Sequence, residues 1–201
     1  MGDSPAPREL AAMSGEDVPV PDPERLVHLQ LRRFAGCPVC SLHLRSVVRR
    51  AGEIEAAGVR EVVVFHSTDE ELRKYAADLP FAVVGDPDKK LYREFGVESS
   101  ARAALDPRAW PGLARAVSTS MWGVLRRRER LAPVMPNGGQ LGLPADFLFA
   151  PDGRLLAVKY GEHAYDQWTV DELLAHARTA RAAGTGTPPA ASAEAPSDTA
   201  R

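Results

Sequence analysis

The chain of 201 residues holds only two cysteines, and they stand three positions apart in Cys37-Pro38-Val39-Cys40. A pair this close does little to staple a fold, because disulfide scaffolds use several cysteines that close long loops. In a reducing compartment such a pair serves catalysis or metal binding. Its flanks narrow the choice. Leu26-Val27-His28-Leu29-Gln30-Leu31 has period-two character and reads as a strand. After Phe34-Ala35-Gly36, Pro38 suits the first turn of a helix, where its missing N–H would have no partner. That helix is expected from about Pro38 to Ala57, with Val39, Leu42, Val47, Ala51 and Ile54 as its buried stripe and Gly58 as its stop. Cys37 then falls at the helix N-terminus and Cys40 one turn inside. The helix dipole and free backbone N–H groups favour a thiolate there. Sulfurs at i and i+3 in a first turn can also bond to each other with little backbone movement. One cysteine attacks and the other resolves.

Further along, strands and helices alternate. Glu61-Val62-Val63-Val64-Phe65 reads as a central strand covered on both faces. Ser67 with Glu70 forms a capping-box signature for a helix through Leu79. Phe81 to Val84 is a short strand, and Asp86 to Phe95 a short helix closed by Gly96. Residues 99–142 break the alternation. Trp110, Leu113, Val117, Trp122 and Leu125 suggest helical stretches, and Pro133, Pro136, Gly138 and Gly139 a return, so this stretch is expected to be an insertion packed against the core. Phe147-Leu148-Phe149 and Arg154 to Val158 flank Pro151-Asp152-Gly153, a hairpin signal. Thr169 with Glu172 opens a last helix through about Ala182. Residues 1–23, rich in Pro, Ala, Gly and acids, read as a flexible arm, and 24–182 as the folded domain. Residues 183–201 lack large apolar groups and are expected to be a disordered tail.

This order predicts an α/β fold: a parallel βαβ half, then an antiparallel hairpin and a helix, giving a central mixed β-sheet flanked by helices. Right-handed crossovers place the start of the first helix at the C-terminal edge of the preceding strand, where open α/β sheets put their chemistry. A strand before the cysteine pair and a βαβ pattern after it is the thioredoxin-like arrangement. Pro144, in Leu143-Pro144-Ala145-Asp146 before the Phe147 strand, stands where that fold places a cis-proline facing the cysteines, and is expected to fill that role.

Several segments carry a family resemblance: Phe34 to Cys40, Val62 to Ser67, Asp86-Pro87-Asp88-Lys89 with Leu91-Tyr92 and Phe95-Gly96-Val97, Gly142 to Phe147, and Asp152-Gly153. Together they resemble the peroxiredoxin-like branch of the alkyl hydroperoxide reductase/thiol-specific antioxidant (AhpC/TSA) family, from about residue 24 to 180. The resemblance implies a thioredoxin-like fold and antioxidant reduction of hydroperoxides through a peroxidatic cysteine. Typical members carry Thr-Pro-Val before that cysteine, so Pro38-Val39-Cys40 matches and Cys40 would attack, with Cys37 resolving. Thioredoxin logic assigns the reverse order, and the Pro-Val-Cys match favours the first. Here Cys37 replaces the threonine that binds the peroxide, and 138–147 lacks the usual thiolate-holding arginine. Arg32 and Arg33 are candidate substitutes, the alternative being an exposed strand end.

The expected reaction reduces a hydroperoxide or a disulfide through a Cys37–Cys40 bridge, with a separate thiol reductant such as a thioredoxin-type protein restoring the dithiol. A disulfide reductase without peroxidase activity and a non-catalytic redox-sensing module are the alternatives. No cofactor is expected. A zinc site could draw on Cys37, Cys40, His43 and His66 or His163, but structural zinc takes four ligands and a second Cys-x-x-Cys is absent, so no metal is expected either. Glu162 and His163, in the loop after the hairpin, are candidates to move protons for the leaving thiol. The Arg126-Arg127-Arg128-Glu129-Arg130 run reads as a solvated helix face, and a formal charge of −2 gives no reason to expect nucleic acid or anionic membrane as partner. With neither a membrane-length apolar run nor a secretory signal pattern, the expected location is the cytoplasm, as a monomer or homodimer.

Overall fold

The computed structural model describes residues 7–97 and 142–184, together with helical positions at Pro111, Ala114, Arg115, Val117, Ser118 and Trp122. Two strands, β1 (Arg8–Ala11) and β2 (Asp17–Val20), form an antiparallel hairpin. There follow β3 (Leu26–Arg32), α1 (Pro38–Arg49), α2 (Ala51–Ala56) and β4 (Val59–Phe65). Next come α3 (Asp69–Tyr75), β5 (Ala82–Gly85) and α4 (Lys90–Glu94). The described chain closes with β6 (Ala145–Phe149), β7 (Leu155–Tyr160) and α5 (Val170–Ala182). The five-stranded sheet has the order β5-β4-β3-β6-β7. β3, β4 and β5 run parallel, and β6 and β7 are antiparallel to their neighbours, which is the expected mixed sheet.

β3 is central, and all seven of its residues are buried. Val27, Leu29 and Leu31 point to one face and pack with Val62, Val64, Phe147 and Phe149. The same face receives Tyr92 and Phe95 from the α4 region and Leu10, Val18 and Val20 from the hairpin. The opposite face is covered by α1, α2 and α5. There Val39, Cys40 and Leu44 meet Val63 and Phe65, while Ile54, Leu173 and Ala177 meet Leu26 and Leu148.

The structure corrects several expectations. The arm expected at 1–23 is, from residue 8 onward, a packed hairpin. Leu10, Ala12, Val18 and Val20 are buried, Gly15 turns the chain at φ +89°, and Met13 N–H donates to Val83 O at 2.7 Å beside an Ala12–Val84 bridge. Arg60 fastens the hairpin from the sheet through Asp22, at 3.0 Å, and Glu16. The first long helix is two, because Arg50 leaves helical geometry at φ −115°, ψ 18°. The capping box is one residue later than expected: Thr68 pairs with Glu71, and α3 ends at Tyr75. The Thr169–Glu172 box opens α5 as expected. The Leu143–Pro144 bond is trans, since the one cis bond among the described residues is Val20–Pro21. A proline at a strand entry lacks the N–H donor in either isomer, and here the Pro144 carbonyl simply begins the pairing with β7 by accepting Gly161 N–H at 2.9 Å. Of the insertion, Trp110, Leu113 and Leu125 lie outside the described residues, as do the Arg126–Arg130 run and the tail from 185. Trp122, expected against the core, is 56% exposed. No helix among the described residues is long and apolar enough to cross a membrane.

Candidate active site

Cys37 is the N-cap of α1, with extended geometry (φ −61°, ψ 121°) and Pro38 directly after it. The helix has no side-chain cap hydrogen bond, so its first N–H groups are left to the cysteine sulfur. Both thiols are free and nearly fully covered, Cys37 at 1% and Cys40 at 3% exposure. A hydrogen bond from the Cys40 thiol is the largest influence on Cys37. With the Arg33 charge and the N–H groups of Cys40 and Val39, it outweighs burial and lowers the Cys37 thiol to about 6. Arg33 Nη1 stands 3.8 Å from Cys37 Sγ. Cys40 moves the other way. It holds the shared proton against Cys37, is buried, and sits beside the Cys37 charge, so its own ionisation is pushed well up. The pair is therefore split into one thiolate and one thiol.

The turn that carries Arg33 and Cys37 is fixed from neighbouring strand ends. His66 N–H donates to Arg33 O at 3.2 Å, and Ala35 N–H donates to Ser67 Oγ at 3.0 Å. Ser67, expected to cap a helix, is thus a clamp on the cysteine loop. Gly142 packs on the same group, because a Cβ there would lie 3.2 Å from His66 Nε2 and 3.9 Å from Arg33 Cγ. His66 is wholly buried, and neither ring nitrogen has a hydrogen-bond partner among the described residues. Burial, then the Lys89 charge, lowers it to about 4, so the imidazole is neutral near pH 7.

Pro144 is buried at the entry of β6. The loop after β7 abuts it: a Cβ on Gly161 would stand 2.7 Å from Pro144 Cγ and 2.5 Å from Asp166 O, so glycine alone permits the approach. Glu162 and His163 follow in that loop. Glu162 N–H donates to Asp166 Oδ2 at 2.9 Å, and Tyr165 N–H donates to His163 Nδ1 at 3.3 Å. These two candidates thus follow the residue that abuts Pro144 and bond within their own loop, while Arg33 is the side chain brought onto a sulfur.

Beneath α1 lies a group of which the sequence singled out only Arg32, as a candidate to hold the thiolate, and His43, as a candidate zinc ligand. Arg32, 0% exposed, donates to Asp146 Oδ1 at 2.5 Å, to Gln30 Oε1 at 2.6 Å and to Ala145 O at 3.3 Å. His28 Nε2 faces the same Asp146 oxygen at 3.1 Å, and His28 Nδ1 faces Glu61 at 2.9 Å. Gln30 also donates to Glu61. Trp168 N–H donates to Asp146 Oδ2 at 3.1 Å, and His43 Nε2 lies 3.3 Å from Arg32 Nη2. Burial alone would lower His28, but the Glu61 charge and the bonds to Asp146 and Glu61 prevail and raise it to about 9. Burial would likewise raise Asp146, yet Arg32 and His28 hold it well below the ordinary carboxylate range. His43 is lowered to about 3 by burial and then by the Arg32 charge. The group therefore contains two cations, two carboxylates and a neutral His43 near pH 7. A strand written His28, Gln30, Arg32 on one face was the available signal.

Comparison with known proteins agrees with the fold. The sequence model of the AhpC/TSA antioxidant enzyme family matches residues 46–163, more than half of the chain, beginning just after the cysteine pair. Among solved structures, a cysteine-to-serine variant of peroxiredoxin 6 of Arenicola marina is similar, with 14% identity, 91% of this chain and 74% of that chain covered, and a TM-score of 0.63. Peroxidoxin BcpB from Mycobacterium tuberculosis matches at 19% identity, over 89% of this chain and 96% of that one, with a TM-score of 0.61. A protein assigned as the thiol–disulfide interchange protein DsbE of Chlorobium tepidum matches at 18% identity, over 88% and 96%, with a TM-score of 0.54. At these identities the likeness establishes the thioredoxin-like fold. No curated protein matches the sequence.

Proposed function

The chain belongs to the AhpC/TSA antioxidant enzyme family, and from that premise we propose that it is a thiol oxidoreductase in which Cys37 attacks and Cys40 resolves. The observation that carries this reading is the division of labour within the pair: Cys37 is lowered to about 6 with Arg33 against it, while Cys40 is pushed up and keeps the proton. This reverses the order favoured by the Pro38-Val39-Cys40 match. The thiolate is the nucleophile, and the helix N-terminus supplies it at Cys37.

With a hydroperoxide, the Cys37 thiolate takes the distal oxygen as the O–O bond breaks. The alkoxide leaves and is protonated, and Cys37 becomes a sulfenic acid. Cys40 then attacks the Cys37 sulfur, losing its proton as the hydroxyl leaves as water, and the Cys37–Cys40 bond forms. A dithiol reductant of thioredoxin type returns two electrons and two protons. Coverage of both sulfurs suits a small oxidant better than a bulky protein disulfide. Disulfide exchange by the same pair, without useful peroxide reduction, is the second reading, favoured by the thiol beside Pro38 where the family carries a peroxide-binding threonine.

The test is rapid mixing of reduced protein with hydrogen peroxide and, separately, with a small disulfide, using Cys37→Ser and Cys40→Ser variants and trapping sulfenic acid by mass spectrometry. Cys40→Ser should accumulate sulfenic acid on Cys37, and Cys37→Ser should react no faster than an ordinary thiol. Sulfenic acid formed at the wild-type rate on Cys40 of the Cys37→Ser variant would overturn the assignment. Peroxide oxidation of the wild type at an ordinary thiol's rate, with fast disulfide exchange, would select the second reading.

A further inference from the structure

We infer that Tyr92 is a positioning residue for the dithiol: its phenol ties the ends of β3 and β4 together and so fixes the turn from which Arg33 reaches Cys37. This rests on the reading of Cys37 as the attacking group. Tyr92 is buried, and its hydroxyl meets the carbonyl oxygens of Arg32 and of Val64, the latter at 3.0 Å. Arg32 is the last residue of β3, and the next residue is Arg33, whose Nη1 is 3.8 Å from Cys37 Sγ. Val64 belongs to the strand that delivers His66 and Ser67, the two residues whose hydrogen bonds hold Arg33 and Ala35. One phenol therefore joins both strands at the point where the cysteine loop leaves them.

The short helix that carries the ring is held at both ends. Asp86 accepts the N–H groups of Lys90 and Leu91, each at 2.8 Å, and Val97 N–H donates to Tyr92 O at 2.8 Å. The ring stands edge-on to His66 at 5.6 Å and 74°. Burial keeps the phenol protonated, so it remains a donor throughout the working pH range. A charge interaction weakens with distance, so a small drift of the Arg33 turn acts directly on the thiolate.

Replacing Tyr92 by Phe removes the hydroxyl and keeps the ring. The readout is the pH dependence of iodoacetamide alkylation at Cys37 in the reduced full chain, for wild type, Tyr92→Phe, Arg33→Gln and the double variant. Tyr92→Phe should raise the Cys37 midpoint by about one pH unit, which is about a tenfold lower alkylation rate below both midpoints. In the Arg33→Gln background the same change should move the midpoint little, since the effect passes through Arg33. An unchanged midpoint in Tyr92→Phe, or an equal shift in both backgrounds, would overturn the inference. A merely structural tyrosine would lower the unfolding midpoint and leave the titration alone. A wild-type Cys37 that titrates as an ordinary thiol would overturn both this inference and the function it rests on, whereas a low wild-type midpoint unmoved by Tyr92→Phe overturns this inference alone.

Discussion

The two faces of the central sheet are built on opposite terms. On one, Val27, Leu29 and Leu31 meet Val62, Val64, Phe147 and Phe149 in an apolar layer. On the other, the alternate residues of the same strand are His28, Gln30 and Arg32, joined to Glu61 and Asp146 and covered by helices. Both faces are dry, yet only one can change its charge. The apolar face is held by transfer of side chains out of water, a term that is insensitive to pH and tolerant of small shifts. The charged face is held by mutual satisfaction, and it fails as a unit when one member is removed. The cysteines sit over this second face. His43, one turn after Cys40, lies 3.3 Å from Arg32, so the helix that carries Cys40 rests directly on the ionic group.

Asp146 is the place to break this contrast most forcefully. Its carboxylate receives Arg32, His28 and the Trp168 N–H, with 0% of the residue exposed. Asp146→Asn keeps the shape and removes the charge, leaving Arg32 buried against a weaker partner. The expected loss is about 3–5 kcal/mol in urea unfolding, the cost of breaking a buried ion pair on one side. Leu29→Ala on the apolar face should cost about 2–5 kcal/mol without changing the shape of the stability–pH curve. A loss below about 1 kcal/mol for Asp146→Asn would mean that water or relaxation already satisfies Arg32, and the faces would differ less than their chemistry suggests.

The pH dependence sharpens the comparison at a smaller scale. His28 has its folded value raised from 6.5 to about 9. Its contribution is fully present below its unfolded value and is lost as pH rises through about 9. His43 and His66 are lowered from 6.5 to about 3 and about 4, so the unfolded chain takes up their protons first and stability falls as pH drops below 6.5. Asp146 adds a loss once pH falls below its ordinary 3.8 and through its depressed folded value. Each single histidine contributes a slope of at most about 1.4 kcal/mol per pH unit. The Cys37 thiol, lowered from 9.0 to about 6, works against the His28 loss, because its contribution grows as pH rises from about 6 toward 9.0. Stability measured from pH 4 to 10 should therefore rise to about pH 6.5 and then stay nearly level to about pH 9. His28→Gln should turn the level stretch between about pH 6.5 and 9 into a rising one and leave the acid limb, and a stretch that stays level would mean that His28 is not the group that offsets Cys37.

What the sequence made legible follows the same division. The cysteine pair, the strand before it and the helix after it could be placed because each rests on local chemistry: a proline at a first turn, a glycine stop, a periodic apolar stripe. The Thr169–Glu172 box was readable for the same reason, whereas Ser67-Thr68 offered two adjacent caps, and only the demand of Ala35 N–H for an acceptor decides between them. Arg32 and Arg33 could not be told apart in advance. An arginine at a strand end is usually solvated, and the partners that bury Arg32 come from β6, more than a hundred positions away in sequence. The β1–β2 hairpin was hidden by its prolines and acids, since its four inward side chains gain their value only from the sheet they cover. The two cysteines were legible as a pair without an order. The proposal that Cys37 attacks takes the position of Arg33 and the direction of the shared proton.

The smallest effect probes where the charged face ends. Trp168 donates its N–H to Asp146 and its ring stands 5.5 Å from His28, and the next residue, Thr169, caps α5 through Glu172. If the cap is only local, Thr169→Ala should cost about 1 kcal/mol, the usual worth of an N-cap, equally at pH 6 and pH 9. The His28 titration should then stay where it is. If the cap instead fixes Trp168 against Asp146, the same substitution should also lower the His28 midpoint, because a carboxylate that loses a backbone donor no longer holds its position between His28 and Arg32. Nuclear magnetic resonance titration of His28 in the two proteins separates these outcomes. A shift would extend the ionic group into α5 and tie the far helix to the floor beneath the cysteines, while its absence would bound the group at Trp168 and leave α5 as cover.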